Sequence, residues 1–68
     1  DYREQSLYYI TQIYFIQNKY EKVVSEGEEL LSSYPNSKNN SEVYRILGNS
    51  YYHLGNQDKA TNMLSKYV

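Results

Sequence analysis

Set against itself at an offset of 37 residues, this chain repeats. Leu7, Ile10, Tyr14, Lys22 and Leu31 fall on Tyr44, Leu47, Tyr51, Lys59 and Val68. Other pairs agree in physical character. Thr11 and Gly48 are both small, Glu21 and Asp58 are both acidic, and Val23 falls on Ala60. Asn18 and Gly55 are both residues that tolerate a left-handed backbone. A period between about 30 and 50 residues marks a stacked array, in which one unit cannot bury its own apolar face and needs a neighbour.

Apolar spacing and punctuation then divide the chain into four helices. Leu7, Ile10, Ile13 and Tyr14 recur at helical intervals, as do Val23, Val24, Leu30 and Leu31. Val43, Tyr44, Leu47, Tyr51 and Leu54 form a third set, and Ala60, Met63, Leu64 and Tyr67 a fourth. The helices are expected at roughly 2–17, 20–33, 41–54 and 57–67. Asn18 and Gly55 mark tight turns within each unit, because both can adopt the positive φ that ends a helix. Pro35 stops the second helix by pushing the residue before it out of helical geometry. The organisation read from this is a first helix-turn-helix unit over 1–35, a polar connector over 36–40 and a second unit over 41–68. Asn39 and Glu42 are spaced for a capping box at the start of the third helix.

Size and charge exclude several classes of function. With 68 residues the chain cannot bury a deep core unless repetition, a metal, disulfides or a partner helps. It has no Cys, which removes disulfides and thiolate metal sites. A net charge of −1 with scattered Lys and Arg argues against a nucleic-acid partner, because phosphate binding needs clustered positive charge. The longest apolar runs, 7–10 and 13–16, are too short for membrane insertion. The chain begins at Asp1 without Met and reads as a piece of something longer, so targeting signals are uninformative.

Candidate chemistry is sparse. His53 is the only histidine, and neither a second His nor a Cys accompanies it to make a zinc site. As a base it could face Ser50 one turn earlier, but no acid stands where it would orient the ring. Glu28 and Glu29 are adjacent, point about 100° apart on a helix, and read as a solvated outer face. Asn39-Asn40-Ser41 fits a glycosylation acceptor, a pattern short enough to arise by chance in an Asn-rich chain. Gly27, Gly48 and Gly55 are isolated and make no phosphate loop. The expectation is a chain without catalytic residues, cofactor or metal.

The matched residues resemble those of the tetratricopeptide repeat family. In the second unit Tyr44, Leu47, Gly48, Tyr51, Gly55, Ala60 and Leu64 stand where that family places its aromatic, Leu-Gly pair, Tyr, turn Gly, small Ala and large apolar residue. In the first, Leu7, Ile10, Tyr14, Tyr20, Val23 and Pro35 fit, and Tyr20-Glu21-Lys22-Val23-Val24 is similar to the start of the family's second helix. Thr11 replaces the small Gly, and Gly27 replaces a bulky residue, so the ring of Tyr44 or Tyr51 is expected to lie over Gly27. The junction Leu30-Leu31-Ser32-Ser33-Tyr34-Pro35-Asn36-Ser37 looks like bacterial repeats of cell-envelope assembly proteins, which would place the parent in the cytoplasm or the envelope.

The resemblance implies an all-α fold of antiparallel helix pairs stacked as a short right-handed solenoid. It also implies a non-catalytic scaffold whose concave face takes a peptide or a partner helix. The groove positions carried over are Gln5, Tyr8, Gln12, Phe15 and Ile16 from the first unit, with Glu42, Arg45, Asn49, Tyr52 and His53 from the second. Phe15 and Tyr52 occupy the same place in both units, and the alternative is that Phe15, Ile16 and Tyr52 pack on a further helix pair. Arg45 and Asn49 stand where some members hold a peptide carboxylate, but the first unit offers Tyr8 and Gln12 instead, so such a clamp is not expected. A structural spacer without a ligand is the alternative function. Two units ending on an apolar helix face at Tyr67 and Val68 imply a homodimer of the isolated piece.

Overall fold

The computed structural model describes residues 2–67, which leaves Asp1 and the expectation for Val68 outside it. The described chain is all-helical: α1 (Tyr2–Ile16), α2 (Tyr20–Ser33), α3 (Asn40–His53) and α4 (Gln57–Lys66). All four bounds fall within one residue of those expected. Each helix packs on its chain neighbour, α3 also touches α1, and α4 touches α3 alone. The Cα trace is 16 Å thick at its thinnest, which is two helices deep.

The turns reproduce the sequence offset atom for atom. Asn18 (φ 62°) and Gly55 (φ 83°) take the left-handed backbone, 37 residues apart. Asn18 N–H bonds to the Phe15 carbonyl and Lys19 N–H to that of Tyr14; Gly55 N–H bonds to Tyr52 and Asn56 N–H to Tyr51. These are paired Schellman closures, in which the left-handed residue lets two amides turn back onto the last helical turn. The second helix of each pair then starts at the matched residues Tyr20 and Gln57. A cation sits over a ring at matched places as well, Lys22 Nζ 5.8 Å from the Tyr14 centroid and Lys59 Nζ 5.5 Å from that of Tyr51.

The connector is tied down by side chains. Tyr34, held by Pro35, leaves helical geometry at φ −133°, ψ 67°. Asn40 belongs to α3 and is buried rather than lying in the connector; its Nδ2 donates to the carbonyls of Tyr34 and Pro35 at 3.1 and 2.9 Å. The Ser37 hydroxyl donates to the Glu4 carboxylate and accepts from Asn39 N–H. The expected capping box does not form, since Asn39 is αR with no side-chain cap bond and Glu42 turns to Arg45.

Val23, Leu30, Val43, Ile46, Leu47, Tyr51, Ala60 and Met63 make the core. Leu7, Tyr8, Tyr14 and Phe15 of α1 pack on its edge half-buried, and Thr11 is fully buried with its hydroxyl on the Leu7 carbonyl at 2.7 Å. Ile10 and Ile13, expected on the buried face, are 39% and 50% exposed. Their apolar spacing was real, but α1 carries a second apolar face.

Leu47, not a tyrosine ring, occupies the space above Gly27. A Cβ added there would meet Leu47 Cδ2 at 2.7 Å and Cγ at 3.0 Å. Because Leu47 is fully buried it cannot swing aside. We expect Gly27→Leu to destabilise by about 1–3 kcal/mol in urea titration, despite the helix propensity gained. Gly48→Ala is expected to cost less, because the side chain it meets, Leu64, is 40% exposed and free to move outward. Equal costs for the two, or a more stable Gly27→Leu chain, would refute this packing.

Candidate interaction face

α1 touches α3, and the candidate residues meet as two clusters rather than one open row, Tyr8 near Arg45 and Phe15 linked through Tyr20 to His53 and Tyr52. Near the start of the two helices, Arg45 Nε donates to Glu42 Oε1 at 2.5 Å, an i,i+3 pair with both partners about a third exposed. Tyr8 lies close enough for its phenol to feel both charges. Burial first and then Glu42 push its pKa up, Arg45 pulls it partly back, and Tyr9 adds a small push. Asn49 turns Nδ2 onto the Arg45 carbonyl at 2.9 Å, a bond within its own helix. Gln12 is half-buried, and Gln5 is exposed.

At the turn end, four rings form the second cluster. His53 stacks on Tyr20 with centroids 4.4 Å apart and planes 8° from parallel. Phe15 meets Tyr20 edge-on at 6.2 Å, and Tyr52 meets His53 edge-on at 5.9 Å. Tyr20 opens α2 and donates its hydroxyl to Asn18 Oδ1 at 2.9 Å, so the turn residue also aims the ring. Phe15 is half-buried on the core rather than open to a groove, while Tyr52 is 63% and Ile16 78% exposed.

Two candidate arrangements do not assemble. Ser50 is fully buried, and His53 faces Tyr20 and Tyr52 instead, so no Ser-His couple exists. Glu28 is not on a solvated face: half-buried, it accepts the Tyr51 hydroxyl, whereas Glu29 is exposed. Burial first and the Glu28 contact second push Tyr51 up to about 12. Among the described residues no group of three His, Asp or Glu could hold a metal, and no helix is long and apolar enough to cross a membrane. The hollow between the two turns, lined by Asn18, Lys19, Lys22 and Leu54 with Tyr20, is open, and its lining is exposed or half-exposed.

Sequence reasoning missed Tyr20 as a member of the ring cluster and Glu28 as the partner of Tyr51. The repeat concealed the first, because Tyr20 falls on Gln57 and the aromatic has no counterpart. For Glu28 the signal lay in its place next to Gly27, the residue on which Leu47 of α3 sits. No protein-family model, curated protein or solved structure matches the chain.

Two measurements check this geometry. Tyr51 gains stability from staying protonated, so its contribution is intact below its ordinary pKa of 10.0 and is lost as pH rises through about 12. Tyr51→Phe should therefore cost about 1.5–3 kcal/mol at neutral pH and flatten the alkaline fall of the melting temperature. An alkaline profile unchanged by the substitution would argue against the Tyr51–Glu28 contact. For the ring cluster, Tyr52→Ala should cost under about 0.5 kcal/mol, Phe15→Ala about 1–2 and Leu47→Ala about 2–5. Tyr52→Ala as costly as Leu47→Ala in urea titration would move Tyr52 into the core.

Proposed function

We propose that this chain is a two-unit segment of tetratricopeptide type, acting as a non-catalytic protein-interaction scaffold whose α1–α3 face takes a peptide or a partner helix. The observation that carries this reading is the repetition of both Schellman turns and of both Lys–Tyr contacts at the 37-residue offset. Two like helix pairs joined by a short connector leave their first helices side by side. That supports a stacked, right-handed arrangement with those helices on one surface. The same surface combines exposed Tyr52 and His53 with Arg45, and Tyr and Arg are among the side-chain types that dominate binding hot spots.

What the face offers a ligand is stacking more than charge. Tyr52 and His53 present ring edges and faces, while the Arg45–Glu42 pair is locally neutral. An uncharged or amphipathic peptide suits it better than an acidic terminus. Arg45 Nε is already taken by Glu42 and Asn49 Nδ2 by its own helix, which leaves little for a carboxylate clamp. That self-satisfaction of polar groups is also what favours the second reading, a structural spacer with no ligand.

Peptide titrations followed by amide chemical shifts separate the two readings. A scaffold should show shifts along α1 and α3, and Tyr52→Ala or Arg45→Ala should weaken binding on the order of tenfold each. A panel of extended and helical peptides that moves no amide on α1 or α3 would leave the spacer.

A further inference from the structure

α1 is apolar on two opposite sides. One side, around Thr11, packs into the core. On the other, Tyr2, Tyr9, Ile13 and Ile16 are 85%, 60%, 50% and 78% exposed, with half-buried Ser6 among them. These five fall at intervals of four and three residues, the spacing of a helix seam built to meet another helix. A surface helix normally keeps its far side polar.

The internal repeat says what kind of face this is. Tyr9, Ile10 and Ile13 match Ile46, Leu47 and Ser50, which in α3 are 1%, 0% and 0% exposed. In α3 those positions are buried, Leu47 against Gly27 of the first helix pair. In α1 the same positions are uncovered, so by register this is an interior face.

A second copy could cover it in two ways, and the packing rejects one. End-to-end stacking that repeats the internal contact would bring Ile10 onto Leu64, the match of Gly27, since Ile10 matches Leu47. At Gly27 even a Cβ stands 2.7 Å from Leu47, so a leucine in that socket leaves no room. Ile13 and Tyr9 are also bulkier than the Ser50 and Ile46 they match. The α1 face therefore does not fit the other end of its own chain.

We propose that the chain forms a homodimer in which the outward seam of α1 pairs with the same seam of a second copy across a two-fold axis. Such a pairing is isologous, closes after two copies and needs no socket like Gly27. Ser6 gives the small position a bulky seam residue of the partner needs. Gln5, Gln12 and Gln17 flank the seam, with Arg3 as a charged neighbour at its N-terminal end. Complete burial of the exposed part of the seam and of Ile10 would remove roughly 500–600 Å² per copy, and about 1,100 Å² in total is the size of a small, weak interface.

Sedimentation of the 68-residue chain with single-cysteine cross-linking tests this. The chain has no Cys, so each introduced thiol is unique. A concentration-dependent dimer is expected, with Tyr9→Cys linking copy to copy under oxidation and Leu64→Cys leaving them unlinked. Ile13→Glu should keep the helical spectrum and weaken the dimer on the order of a hundredfold, because a two-fold interface contains each substitution twice. A chain that stays monomeric at high micromolar concentration would overturn the proposal and leave the seam to a further helix pair or another protein. Cross-links formed only between Tyr9→Cys and Leu64→Cys chains would overturn it in favour of end-to-end stacking. Ile16 belongs to both the seam and the carried-over groove positions, whereas Tyr9 and Ile13 belong to the seam alone, so Ile13→Glu tests the dimer without altering a groove residue.

Discussion

Everything in this fold passes through the seat of Leu47 on Gly27. α3 is the one helix that touches all three others, and its deepest side chain enters α2 where α2 has none. A glycine there weakens α2 by about 1 kcal/mol relative to alanine, while burying a leucine gains about 1.5–3. The exchange favours joining the units over perfecting one helix. Beside this apolar seat lies a polar one: Glu28, the next residue on α2, accepts the hydroxyl of Tyr51, one turn after Leu47 on α3. The two contacts fix register together, since sliding α3 by one residue would lose both.

The two units share a backbone plan but distribute bulk differently. In the second unit Leu64 leans over Gly48, where a Cβ would lie 2.6 Å from its Cγ. In the first, Thr11 stands in place of Gly48 and Gly27 in place of Leu64. The large residue has moved out of the second helix and a methyl and hydroxyl have entered the first. Thr11 satisfies its hydroxyl on the Leu7 carbonyl and so can be wholly buried. The change opens the socket that Leu47 fills, and it makes the two ends of the chain unlike each other.

Much of the helical plan was legible because it rests on local chemistry. Asn18, Gly55 and Pro35 set helix ends through backbone torsions, which neighbours hardly alter, and the structure puts the ends there. What sits opposite what was less legible. Periodicity put Ile10 and Ile13 on a buried face, but a helix apolar nearly all round gives no direction, and burial went to Thr11 instead. The cover for Gly27 was sought among tyrosines, yet a ring needs a broad flat space and the glycine leaves a narrow one that a leucine fits. Of the candidate face, Tyr52 and His53 are exposed and Arg45 is half-exposed. The sequence could not show that Phe15 is half-buried under Tyr20, because that contact joins α1 to α2 and breaks the repeat.

Ten tyrosines in so short a chain follow from the same shortage of interior. A tyrosine at the rim of a thin core can bury its ring and leave its hydroxyl to water or a carboxylate, where leucine would leave bare hydrocarbon. Lysines then lie across three of these rings: Lys22 on Tyr14, Lys59 on Tyr51 and Lys66 on Tyr44. Each lysine stem covers ring carbon while its charge stays in water. All three come from α2 or α4 and reach rings on α1 or α3, so the second helix of each pair lids the first. The lid reaches only the side of the first helix that faces its own partner. For α3 the opposite side packs against the first helix pair, and for α1 it is the tyrosine and isoleucine seam, flanked mainly by glutamines. A seam of that composition is suited to another helix surface rather than to water.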